Sequence, residues 1–145
     1  MHEMENTPKI VTIIGLIFEF LGLTGIVFSG WMLRNFDKLP GFDAQSMDIP
    51  QSEFNEMIRI FDIFSNVVYV IGIVVAFFVL LNAFLFIKLI KGSYTEEQAK
   101  KVYLYQAIWG GINLVFNQLT GILYLVSGVT GYNGHKEEKN IREGI

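Results

Sequence analysis

Cysteine is absent from the 145-residue chain, which excludes disulfide staples, thiolate nucleophiles and cysteine-type metal sites together. Proline is scarce: Pro8, Pro40 and Pro50 are the only three. All lie outside the interiors of the long apolar stretches, where a residue without an N–H would break a helix. Charge is missing over most of the length. Between Ile10 and Leu33 the only acidic or basic residue is Glu19, between Ile63 and Ile87 there is none, and after Lys101 the next is His135. A net charge of −3 with no basic cluster points away from nucleic acid. No Ser-His-Asp set, phosphate-binding loop or paired-carboxylate motif occurs, so neither an enzymatic activity nor a cofactor is expected. His2 and His135 stand in terminal segments without the spacing of a metal site, and Glu3 and Glu5 near His2 read as solvated.

What is present is apolar bulk. Hydrophobic residues make up 52% of the chain and aromatics 14%, with 13 phenylalanines. Each charge-poor run reaches the roughly 20 residues that span a ~30 Å hydrocarbon core. The expectation is an all-α fold, a polytopic transmembrane helical bundle forming one domain over residues 1–145. The first run is too long for a signal peptide, contains Glu19 and lacks a small-x-small cleavage site, so it reads as a retained helix.

Breakers and caps divide the chain consistently with this. Thr7-Pro8 reads as a helix start, giving a first helix over about 8–33 that ends near Trp31, an aromatic suited to the membrane interface. Pro40, Gly41 and Pro50 with Asp37, Asp43 and Asp48 mark residues 34–51 as an acidic loop. Ser52 reads as the cap of a second helix in which Phe54, Met57, Ile58, Phe61 and Phe64 share a face. Residues 34–64 are thus expected to be an extracytoplasmic loop and amphipathic helix, lying on the interface or simply lengthening the span of 65–90 above it. Thr95-Glu96-Glu97-Gln98 has capping-box spacing and starts a third helix.

Val102 to Tyr132 is harder to divide. As one helix these residues extend about 46 Å at ~1.5 Å per residue, too long for one span and short for two. A break at Asn117-Gln118 gives a hairpin of helices over about 96–116 and 118–132. Lysine and arginine discriminate. With the hairpin, Lys9, Lys88, Lys91, Lys100, Lys101, Lys136, Lys139 and Arg142 share the cytoplasm, eight against Arg34, Lys38 and Arg59 outside. A single span would leave five inside and six outside. Against this, Gln106, Gly110, Asn113, Asn117, Gly121, Tyr124, Gly128 and Gly131 recur at spacings of three and four, as on one face of a continuous helix.

A Gly-punctuated first helix, a polar loop, a long second helix and a closing Gly-Ile-Leu-Tyr-Leu-Val-Ser-Gly at 121–128 together resemble a family of small Gram-positive bacterial tetraspan membrane proteins known only as a domain of unknown function. The resemblance implies four helices with both ends inside and brings no activity or site residues. Glu19-Phe20-Leu21-Gly22-Leu23-Thr24 also resembles the first-helix Glu-x-x-Gly-x-Thr of small multidrug-resistance exporters, which implies a carboxyl binding protons and cationic drugs alternately.

Glu19 is the residue that calls for a function, because a mid-span carboxyl is costly and faces a bundle interior or a wet cavity. Its expected partners are the amides Gln106, Asn113 and Asn117. Gly15, Gly22, Gly25 and Ser29 on helix one, with Gly110, Gly121 and Gly128, are expected to let helices approach closely. Asn82 poses the same choice between packing and function, with packing favoured, while Phe77, Phe78, Phe84 and Phe86 read as bulk. The functional expectation is a non-enzymatic protein of the cell membrane, multi-pass with both termini cytoplasmic. Its partners are the lipid bilayer and another membrane protein, which it serves as an accessory, regulatory or immunity-type subunit. The alternative is a small self-associating transporter or channel subunit using Glu19. The charge count predicts that a cysteine introduced at Asn133 is shielded from an impermeant thiol reagent in intact cells, while one at Asp43 is labelled; labelling at both positions excludes the arrangement.

Overall fold

In the computed structural model, which describes residues 1–142 with side chains to residue 134, the chain forms four α-helices and one short 3-10 helix, and no strand occurs among the described residues. Helix α1 spans Asn6–Arg34. Its first hydrogen bond runs from Lys9 N–H to the Glu5 carbonyl (3.1 Å), so Asn6, Thr7 and Pro8 fill the first turn. The N–H groups there have no acceptor within the helix, which is why Pro8 is harmless and Thr7 is not the cap. A 3-10 turn, Phe36–Lys38, opens the following loop. Farther along that loop the Asp43 carboxyl is held below its usual range by hydrogen bonds with Ser46, whose backbone N–H lies 2.6 Å from it.

Helix α2, Gln51–Ile90, opens with Phe54 N–H on the Pro50 carbonyl, which puts Pro50 rather than Ser52 at the cap position. It closes on Gly92 at φ 70°, with Gly92 N–H on Leu89 and Ser93 N–H on Lys88, the paired bonds of a left-handed C-terminal cap. Helix α3, Glu96–Phe116, carries the expected capping box: Gln98 N–H donates to Thr95 Oγ1 and Thr95 N–H to Gln98 Oε1. At Asn117 the backbone leaves the helical region (φ −143°, ψ 86°), and helix α4 runs over Gln118–Arg142. The last run is therefore a hairpin. Its second helix continues ten residues beyond the expected end at Tyr132, since no proline follows to stop it.

The chain divides into two compact units, and α1 and α2 each contribute to both. One comprises Met1–Leu21 with the chain from Val79 onward. Its centre is the α3–α4 seam, where glycines bring backbone onto backbone. A Cβ built on Gly110 would fall 2.5 Å from Leu125 N, one on Gly121 2.6 Å from Leu114 N, and one on Gly128 2.6 Å from Ala107 N. The periodic stripe read from the sequence is thus two facing edges of a hairpin. Met4, Phe86, Leu89, Tyr94, Ala99, Val102, Tyr103 and Tyr124 form the apolar core of this unit.

The other unit, Gly22–Phe78, joins the second part of α1 to the first part of α2. Tyr69 covers Gly30, Ile26 touches Gly72, and the buried Ser65 hydroxyl donates to the Gly30 carbonyl (2.9 Å). Phe36 gathers Phe42, Phe54 and Phe61 around it, with centroids 4.9, 6.4 and 4.7 Å away. The inward line of α2 here runs through buried Phe54, half-buried Ile58 and Phe61, and buried Ser65, while Phe64, expected on that face, is exposed because it lies one position off the line.

The distribution of side chains is inverted relative to a water-soluble globule. Thr12, Glu19, Ser65, Asn82, Gln106, Thr120 and Ser127 are buried, while Ile17, Phe20, Phe28, Val70, Ile73, Phe77, Leu80 and Phe84 face outward. Helices α1 and α2 are long and apolar enough to cross a membrane. Only 17% and 22% of their most apolar windows are buried, whereas a core helix of a soluble protein is mostly covered. The packing makes a direct prediction. Gly121→Ala should lower stability by about 1–3 kcal/mol, because its methyl meets backbone that cannot rotate away. Gly25→Ala, with nothing within 4 Å, should stay within about 0.5 kcal/mol of the parent. Thermal unfolding in detergent compares the two, and equal losses would contradict the seam.

Candidate functional site

All four helices meet at Glu19, which is 5% exposed. Gly15, one turn earlier on α1, leaves room for the Tyr124 ring, whose Cε1 would stand 2.5 Å from a Cβ there. Lying in that gap, Tyr124 donates its hydroxyl to Glu19 Oε2. Phe86 supports the same ring from α2, edge to face at 5.0 Å. Asn82 Nδ2 of α2 and Trp109 Nε1 of α3 both donate to Oε1, at 2.6 and 3.2 Å. Asn82 is oriented in turn by Tyr105, whose hydroxyl donates to its Oδ1. The amide orientation follows: with Oδ1 accepting from Tyr105, Nδ2 faces the carboxyl.

The surroundings of the carboxyl are donors: an amide N–H, an indole N–H and a phenol O–H. Three such bonds compensate for the loss of water around a buried carboxylate. A bound cation needs acceptors, and none of these three groups supplies one in this arrangement. The chemistry that the geometry provides is fixation of four helices on one side chain.

A second polar chain lies about two turns toward the N-terminus. Gln106 Nε2 donates to Thr12 Oγ1 (2.8 Å), Thr12 pairs with Ser127 (2.6 Å), and Ser127 donates to the Pro8 carbonyl (3.0 Å). Because Ser127 spends its proton on Pro8, the Thr12 hydroxyl is the donor in the middle bond. A third cluster sits where the N-terminal segment crosses the α2–α3 loop. His2 N–H donates to the Tyr94 carbonyl (2.7 Å), and its ring contacts Glu96 through Nδ1 (3.1 Å) and Tyr103 through Nε2 (2.8 Å). His2 is thus buried, while Glu3 and Glu5 beside it are exposed, as expected. The side chain of His135 lies outside the described residues.

The expected amide partners of Glu19 go elsewhere. Gln106 serves Thr12, Asn113 donates to the Trp109 carbonyl (2.9 Å), and Asn117 donates to the Phe18 carbonyl (3.3 Å). The reason is rotation about α3: the face carrying Gln106, Gly110 and Asn113 packs on the hairpin seam, and Tyr105 and Trp109 sit beside it. Among the expected packing residues, Gly15, Gly110, Gly121 and Gly128 make close approaches and Gly22 is half-buried. Gly25 and Ser29 are exposed, with Ser29 donating to the Gly25 carbonyl of its own helix (2.8 Å). Asn82 was legible as the lone amide between Val67 and Ile87; Trp109 and Tyr105 carried only their four-residue spacing. Comparison of the chain with protein-family models, curated proteins and solved structures gives no match, so the reading of the site rests on its geometry.

Glu19→Gln should unfold within about 1 kcal/mol of the parent, since an amide still accepts at one atom and the Tyr124 hydroxyl can rotate to accept at the other. Glu19→Ala leaves three donors without their acceptor and should cost about 1–3 kcal/mol. Thermal unfolding of both variants in detergent decides, and a silent Glu19→Ala would remove the structural role.

Proposed function

We propose that this chain is a multi-pass protein of the cell membrane, both ends cytoplasmic, that acts without catalysis by binding another membrane protein as an accessory, regulatory or immunity-type subunit. The observation that carries the reading is the inverted side-chain distribution. Many polar groups are engaged inside, in bonds between helices, and the outward faces of α1 from Ile10 to Leu33 and of α2 from Val67 to Ile87 are largely apolar. Such faces suit lipid and the flank of another membrane helix.

The four-helix membrane bundle expected from the sequence enters this reading in altered form. Helices α1 and α2 cross the bilayer, and α3 and α4 form a hairpin entering from the side of the termini. The bond from Asn117 to the Phe18 carbonyl supports a turn level with the middle of α1. Val115 and Phe116 at that turn are 78% and 83% exposed, which suits hydrocarbon better than water. Backbone at membrane depth needs internal partners, and Asn117 supplies several: its N–H donates to Asn113, its carbonyl accepts from Gly121 and its Oδ1 from Thr120 N–H. The exporter-like alternative needs a carboxyl open to protons and cations. Glu19 is enclosed, with both oxygens accepting, and this favours a structural role in holding the four helices together.

Site-specific photo-crosslinking in cells, with the probe at outward positions such as Phe77 and Leu80, tests the reading. A discrete adduct with one other membrane protein, at some outward positions and not others, is expected. Adducts only between copies of the chain would overturn it in favour of the self-associating alternative, and the absence of any protein adduct would overturn both.

A further inference from the structure

At the loop end of the second unit, four exposed charged side chains line an open surface cavity of about 430 Å³: Arg34, Asp37, Lys38 and Asp62, together with Ile58 and Asn66. The volume falls in the range of small-molecule sites, about 300–1,000 Å³. The charges are of both signs, yet none of the four takes part in an ion pair among the described residues. They are arranged around a space rather than against each other.

Arg34 is fixed in place. Its Nε donates to Ser65 Oγ (3.3 Å), an Nη donates to Asn66 Oδ1, and the guanidinium stands 5.1 Å over the Tyr69 ring. Ser65 is itself buried and anchored on the Gly30 carbonyl. Two of the five guanidinium N–H donors are thereby used, and three remain. A guanidinium held this way loses little further freedom on binding an oxyanion, which is how phosphate sites are built. The position matters as well. Arg34 follows directly on the apolar run of α1, and Trp31, exposed and stacked on Phe28 at 6.0 Å, lies one turn before it, as at a membrane–water boundary.

We infer that this cavity binds a zwitterionic phosphodiester carrying a primary ammonium, presented by a phospholipid headgroup: Arg34 and Lys38 take the phosphate, Asp37 and Asp62 the ammonium. The inference rests on the membrane reading above. Two features set the class. A quaternary ammonium is best held against aromatic faces, and no aromatic side chain lines this cavity; a primary ammonium donates hydrogen bonds to carboxylates. A purely anionic headgroup would leave Asp37 and Asp62 facing further negative charge.

The test uses the full-length protein in detergent, titrated with short-chain phosphatidylethanolamine, phosphatidylcholine and phosphatidylglycerol and with water-soluble glycerophosphoethanolamine, each followed by native mass spectrometry. Saturable binding of one phosphatidylethanolamine, about tenfold or more tighter than the other two lipids, is expected. Lys38→Ala should weaken all three, and it leaves the fold intact because the Lys38 ammonium is not bonded within the described chain. Arg34→Gln should weaken them further, and Asp37→Asn with Asp62→Asn should erase the preference for ethanolamine over glycerol headgroups. No saturable binding, or binding indifferent to these substitutions, overturns the inference. Equal affinity for glycerophosphoethanolamine keeps the chemistry and overturns the lipid as its source. Retention in carbonate-washed membranes is read separately: extraction there sinks the membrane reading, whereas retention without headgroup binding sinks only the site.

Discussion

A carboxyl enclosed by apolar side chains must be given donors, and the first unit is organised around that requirement at Glu19. Asn82, Trp109 and Tyr124 arrive from three different helices, so the requirement fixes the rotation of each helix about its axis as well as its neighbours. Gly15 exists in this arrangement as the gap into which Tyr124 fits. The seam of Gly110, Gly121 and Gly128 lets α4 lie close enough to α3 for Trp109 and Tyr124 to reach the same side chain. Removing the carboxyl would therefore leave the helices packed but without the feature that distinguishes one rotation from the next.

Beside the apolar core of the first unit, contact between helices depends on close backbone approach along the α3–α4 seam and on hydrogen bonds between buried polar side chains. Tyr69 over Gly30 and Ser65 on the Gly30 carbonyl repeat the device in the second unit: a glycine opens space, a neighbouring side chain fills it, and a hydroxyl ties the two helices together.

The helices were readable because apolar runs and breakers agreed, and the Thr95 box stands where the residue types put it, although Thr7 and Ser52 do not cap. The break at Asn117 was readable through charge counting. The stripe from Gln106 to Gly131 argued for one continuous helix because helical spacing is the same whether a face meets a neighbour or meets its own continuation folded back. The partners of Glu19 were not readable. Amides look like the best hydrogen-bonding residues on α3, but which of Tyr105, Gln106 and Trp109 reaches Glu19 depends on helix rotation, and that is set by contacts between residues far apart in the chain. The burial of His2 left no sign in the sequence for a related reason: it comes from the α2–α3 loop and the start of α3, some ninety residues later.

The placement of Glu19 has a consequence for how the chain is made. Synthesis runs from the N-terminus, and the three donors emerge at positions 82, 109 and 124, so the carboxyl of the first helix stays without its final partners until most of the polypeptide has left the ribosome. A chain stopped before Asn82 carries the Glu19 carboxyl with none of these three donors, and one stopped before Tyr124 still leaves Oε2 without the hydroxyl that reaches it. An incomplete product thus differs from the finished chain at one buried carboxyl, and the difference disappears only when the last helix closes over it.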